Sequence, residues 1–300
     1  MRFGHARFHQ PAVTFAHGAD AKSSPSGGYH GTMNPVSASH TLMTRWGHRA
    51  RLWWTTWWQV VMLGAQILVT ALTPSSYASG PRRQGVLLQI VQATAPLLTG
   101  FLVLSALISL VLIRIVVATA YSYGLSQYAL EVLVRTLVLE LIPLYAAMFV
   151  AARYAMPGAQ RVRGQLSAQQ RAGQALGQGV LLTTELLPRA LASVFSVLML
   201  AALSCVIALV LTYLTVYGFS PWGLPGYTRS VGQVFTPAVT LIFTLKTLFF
   251  SLAVAVVPLA ASAQQDTDGL YAQRSDISEF ARLFSVVLLI EIVSLVGNYY

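Results

Sequence analysis

Long apolar runs separated by short polar segments constrain this chain more than any other feature. Residues 90–119, 128–152, 187–217, 235–262 and 280–300 are each apolar over a length that can span a bilayer, whose hydrocarbon core takes roughly 20 residues of helix. The expected fold class is therefore an all-α polytopic membrane protein with about five transmembrane helices. Composition agrees: 55% of residues are hydrophobic and 9% are charged, where an ordinary soluble domain carries about 25% charged residues. A soluble enzyme is excluded on that ground.

The net charge of +10 does not form a nucleic-acid stripe, because Lys and Arg sit mostly near the ends of the apolar runs. There they report topology. Arg82 and Arg83 start the first run in the cytoplasm, and two crossings return the chain to its most basic loop, with Arg153, Arg161, Arg163 and Arg171. Two more crossings put residues 219–233 outside and 264–279 inside, so the C-terminus ends outside. A further apolar stretch, 53–73, opens with Trp53, Trp54, Trp57 and Trp58 and has basic residues on both flanks. Interfacial aromatics and cytoplasmic ends predict an interfacial or re-entrant helix there. The expected organisation is a disordered cytoplasmic tail over 1–42, this helix and a connector over 43–85, and a membrane domain over 86–300. Residues 218–227, GFSPWGLPGY, are expected to be a compact outer connector.

Several chemistries are absent from the spans. All six histidines, from His5 to His48, precede the membrane region. The spans therefore lack the imidazole that a serine–histidine dyad, a zinc protease or a haem helix pair requires. With Cys205 as the single cysteine there is no intrachain disulfide or CxxC site, and no GxxxxGK[ST] phosphate loop occurs. Catalytic, metal and cofactor sites are expected to be absent, and any ATP must bind a separate chain.

The ionisable residues left within the spans are Arg114, Arg135, Glu140, Lys246 and Glu291. Each costs about 2.5–3.5 kcal/mol at a helix centre on insertion scales, so such residues face an interior and find partners. Glu140 lies three residues before Pro143, which suggests a hinge or pocket wall. Lys246, the one lysine of the membrane region, is a candidate partner. Arg114 and Arg135, nearer span ends, are expected to snorkel outward. The basic loop over 158–179 reads as a short surface helix.

Several segments in order resemble the MlaE family, the permeases of MCE-type ABC transporters that move phospholipid between bacterial membranes. The likeness runs from about 88 to 298. It is carried by Pro96 and Gly100 in the first true span and by Gly124, Glu140, Pro143 and Arg153 in YSYGLSQYALEVLVRTLVLELIPLYAAMFVAARYA. Pro188, Arg189 and Ala192 in LLPRALASVF and Lys246 and Phe250 in TPAVTLIFTLKTLFFSLAVAV continue it. The chain departs at Leu139, where the family has Arg, at Ser251, where it has Gly, and at 173–176, where GQAL replaces an acidic coupling sequence. It looks like a divergent member.

The resemblance implies a permease subunit in the bacterial inner membrane that works as two copies, with a cytoplasmic ABC ATPase, an MCE-domain protein and membrane lipid. It implies Glu140, Lys246 and Pro143 at a lipid pocket or gate. Arg153, Pro188 and Arg189 would order helix ends, and Gln174, Ala175 and Leu176 would form the coupling segment. The alternatives are a scaffold that anchors an MCE partner without transport, or an unrelated secondary carrier.

Overall fold

The computed structural model describes Trp54 and residues 57–73, 80–173, 178–263 and 276–299. Among these all regular structure is helical. Helix α1 is Trp57–Leu72 and α2 is Gly80–Ser122. Helix α3 runs unbroken over 126–171, and α4 over 178–217. A 3₁₀ turn, Pro221–Gly223, leads into α5, Leu224–Val234. Helices α6, Pro237–Ala263, and α7, Asp276–Tyr299, complete the chain.

Five helices are long and apolar enough to cross a membrane: α2, α3, α4, α6 and α7. Helix α1 is shorter, and its 16 residues would reach about 24 Å at 1.5 Å per residue, less than the roughly 30 Å core. The expected five spans and the extra apolar helix are therefore present. The 43 residues of α2 extend about 65 Å, well over the roughly 30 Å of a hydrocarbon core.

The first two spans meet at a turn that glycine makes possible. Gly124 has φ +69°, and the amides of Leu125 and Gly124 donate to the carbonyls of Ala120 and Tyr121 at 2.8 and 3.2 Å. That pairing closes α2 with a Schellman motif. Helix α2 then buries a stripe at every fourth position: Ala93, Leu97, Phe101, Ser105, Ser109 and Ile113. It packs chiefly on α4, whose buried face includes Ser196, Ala201, Ser204 and Ala208. Small residues let the backbones approach, and hydroxyls bridge them: Thr94 and Ser196 hydroxyls lie 2.8 Å apart. The Ser105 hydroxyl meets that of Tyr145 on α3 at 2.7 Å.

Helix α3 is the most enclosed span and carries two π-helical stretches, Val134–Leu141 and Ala151–Ala155; α4 has a third, Leu182–Leu186. Each is followed by a residue and then a proline: Pro143, Pro157 and Pro188. The residue before each proline reaches five positions back, Ile142 to Leu137, Met156 to Ala151 and Leu187 to Leu182. Proline has no N–H and its ring crowds the carbonyl four residues earlier. Widening the preceding turn to π geometry relieves that crowding while the helix continues.

This corrects one expectation. The second span does not stop near 152; the helix continues through the basic region to Arg171. That region is the expected surface helix, but one face of it packs inward, since Ala159 and Val162 are fully buried. Val162 joins Ile67 of α1, Leu186, Leu187 and Ala190 of α4, and Ala255 and Leu259 of α6 in one core at this end. Helix α1 lies against α6 at Gly64, where an added Cβ would sit 3.0 Å from Val256. At the opposite end the 218–227 connector includes ordered helix. There Tyr213, Tyr217 and Tyr227 pack ring to ring with centroids 5.2–6.1 Å apart, and the Tyr227 hydroxyl donates to the Leu209 carbonyl at 2.8 Å. Burial, with a smaller contribution from Tyr217, pushes the Tyr227 phenol up to about 12.

Candidate functional site

The π stretch ahead of Pro143 prepares the most charged spot in the membrane region. In an α-helix the Leu139 carbonyl would accept from residue 143, but Pro143 has no N–H to give. The Lys246 ammonium, from α6, donates to that carbonyl at 3.3 Å instead. It also pairs with the Glu140 carboxylate beside it and with Glu291 of α7 at 2.8 Å. Three spans thus meet at one ammonium. Lys246 is 3% exposed, Glu140 8% and Glu291 9%.

This explains how three ionisable groups are tolerated inside apolar helices: each charge has an opposite charge in contact, and the lysine has a backbone acceptor as well. The Glu140 and Glu291 side chains also meet. With all three ionised the formal sum is −1, so the lysine offsets two carboxylates at once. The Phe250 ring lies one turn along α6 with its centroid 5.8 Å from the ammonium, at the outer edge of cation–π reach.

The other expected site residues lie elsewhere. Pro143 follows the π stretch after one intervening residue, Ile142, and does not break the helix. Arg153 is exposed. Pro188 sits in the first turn after the third π stretch, and Arg189 pairs with Glu185 at 2.6 Å. Arg135 pairs with Glu131 at 3.3 Å on its own helix and takes no part in the Lys246 cluster. Arg114 is exposed on α2. Gln174, Ala175 and Leu176 lie outside the described residues.

Two features were not assigned from the sequence. Glu291 was named as an intramembrane charge without a partner, and it completes the cluster. The second is an ion pair between Arg163 of α3 and Glu279 of α7, with Glu279 3% exposed. The same guanidinium donates to the Ala261 carbonyl of α6 at 3.4 Å. It therefore ties the ends of three helices together on the side where the chain is most basic. The available signal was weak: an arginine at helical spacing from buried Ala159, and a glutamate in the first turn of α7.

Residues 86–295 match a family described as permease MlaE. That region is more than half of the chain and contains Glu140, Lys246 and Glu291. No curated protein matches.

Proposed function

The chain belongs to the MlaE permease family, and from that premise we propose that this membrane permease moves phospholipid between bacterial membranes from a place in the inner membrane. Two copies face one another across an outward-opening apolar cavity. A separate cytoplasmic ATPase binds and hydrolyses ATP, and an MCE-domain protein on the outer side carries the lipid onward.

The single observation that supports this reading is the cluster of Lys246, Glu140 and Glu291, which joins α3, α6 and α7 deep among apolar helices. A structural bundle gains little from three buried charges, because replacing such a group by packed apolar side chains is often neutral or stabilising. A protein that alternates between states has a use for it, since ionic contacts have discrete arrangements that a packed core can switch between. In this reading Glu140 and Lys246 gate the lipid pocket, with Glu291 as their third member. Pro143 and its π stretch let α3 flex there. Arg153 and Arg189 order the cytoplasmic helix ends, and residues 174–176 meet the ATPase.

The test is co-purification of the tagged chain from its native membrane, followed by an ATPase assay with added phospholipid. Recovery of a stoichiometric ATPase whose hydrolysis rises with lipid supports the permease. Recovery of an MCE protein without an ATPase identifies a scaffold, and lipid movement by the chain alone identifies a secondary carrier; either overturns the reading.

A further inference from the structure

A cavity of about 410 Å³ opens among the ends of α2, α3, α4 and the helix α5. Its volume falls within the roughly 300–1,000 Å³ of small-molecule sites. Its floor includes buried Leu130 and Val234, while Tyr121, Tyr217, Glu131, Ser230 and Gln233 supply its polar wall. Glu131 is the one charged residue among those that line it. A cavity lined by a carboxylate, two tyrosines and amide and hydroxyl acceptors is a setting for an ammonium group, which takes both cation–π and ionic contacts.

One turn deeper along α3 lies Arg135. Its Nε is 3.3 Å from a Glu131 carboxylate oxygen yet buried without a hydrogen bond. Going inward from the end of α3, a carboxylate therefore comes first and a guanidinium second. A zwitterionic phospholipid headgroup has the complementary order, with its ammonium outermost and its phosphate toward the tails. We propose that this cavity binds an ammonium-bearing headgroup, with the ammonium at Glu131 in the part of the lining that includes Tyr121 and Tyr217 and the phosphate toward Arg135, which lies beyond the lining and is paired with Glu131. The assignment rests on the permease reading above for its orientation, because that topology places this end of the bundle on the outer face.

Native mass spectrometry of the full-length protein in detergent tests it. The probes are phosphatidylethanolamine and phosphatidylglycerol with identical acyl chains, since only the first has an ammonium. The protein should retain phosphatidylethanolamine about fivefold better, and Glu131→Gln should bring that ratio to about one. Tyr121→Leu, at a 63% exposed position, should lower the ratio without touching the carboxylate, while Glu185→Gln at the opposite end should leave it unchanged. Equal retention of the two lipids by the unaltered protein overturns the proposal, and so does a ratio that survives Glu131→Gln. Displacement by soluble phosphoethanolamine at matched concentration assigns the ammonium to a free metabolite; lack of displacement assigns it to a lipid. Retention is read without transport. Loss of selectivity in Glu131→Gln therefore supports the cavity even where a reconstituted complex moves no lipid, and unselective retention by a transporting complex removes the cavity assignment alone.

Discussion

Replacing Lys246 with Met should be the most damaging single change in the membrane region, and the reason lies in the charge arithmetic of its cluster. The lysine contacts Glu140, Glu291 at 2.8 Å and the Leu139 carbonyl at 3.3 Å. Its removal leaves two buried carboxylates side by side and one carbonyl without its donor. Breaking a buried pair costs about 3–5 kcal/mol, and the like-charge contact places Lys246→Met at the upper end. Glu291→Gln instead takes the formal sum from −1 to zero and leaves an intact Lys246–Glu140 pair, so it should cost only about 1–2 kcal/mol. Glu140→Gln should fall between them, because Glu140 shares its helix with the Leu139 carbonyl that the same ammonium binds. Removing all three charges with Lys246→Met, Glu140→Gln and Glu291→Gln should recover most of the loss, giving strong non-additivity. Thermal unfolding of the purified variants in one detergent, read by loss of the monodisperse species, measures the order. Equal loss in Lys246→Met and Glu291→Gln, or a triple variant as damaged as the sum of its parts, would refute the reasoning.

Four further outcomes follow from other contacts. Glu279→Gln should destabilise the basic end of the bundle by about 3 kcal/mol, because it leaves the Arg163 guanidinium facing the Ala261 carbonyl without its carboxylate; hydrogen exchange should rise in 156–171 before it rises in α2. Pro143→Ala restores a backbone donor opposite the Leu139 carbonyl, so it should raise thermal stability while slowing lipid transport, and unchanged transport counts against a flexing role. Gly64→Leu should displace α1 from Val256, seen as increased proteolysis near Trp57 with little change in the five spans. The raised pKa of Tyr227, about 12 against an ordinary 10, means the folded state holds this proton more tightly. Its contribution should be whole below pH 10 and lost as pH rises toward 12, and Tyr227→Phe should remove that part of the alkaline unfolding profile.

Much of the fold was legible because membrane spans announce themselves by length and hydropathy, which need no knowledge of contacts. What escaped was the continuation of α3 to Arg171. The composition after 152 turns polar, and Pro157 reads as a stop, whereas the π stretch over Ala151–Ala155 absorbs the proline and keeps the helix intact. The proline spacing contained the signal, since Pro143, Pro157 and Pro188 each follow a π stretch by one intervening residue. Pro96 and Pro258 also lie inside helices, in α2 and α6, with no π stretch before them, so a proline alone does not specify one.

The candidate site was legible in its residue types and obscure in its pairing. Glu140 and Lys246 stood out because charges are scarce in apolar runs, and they are brought together across 106 residues of sequence. Glu291 could be named as an intramembrane charge, but its helix is apolar on all sides and gives no face from which to read a direction. Arg163 and Glu279 were harder still, since both sit in polar stretches of sequence where charge is ordinary, and only the packed helix ends bury Glu279.

The account stands most directly on one measurement: transfer of a fluorescent phospholipid between vesicles by this chain reconstituted with its ATPase and MCE partner, with and without ATP. Transfer should require ATP and should vanish in the Lys246→Met, Glu140→Gln, Glu291→Gln variant while the complex still assembles. Transfer that persists without ATP, or at full rate in that variant, would contradict it.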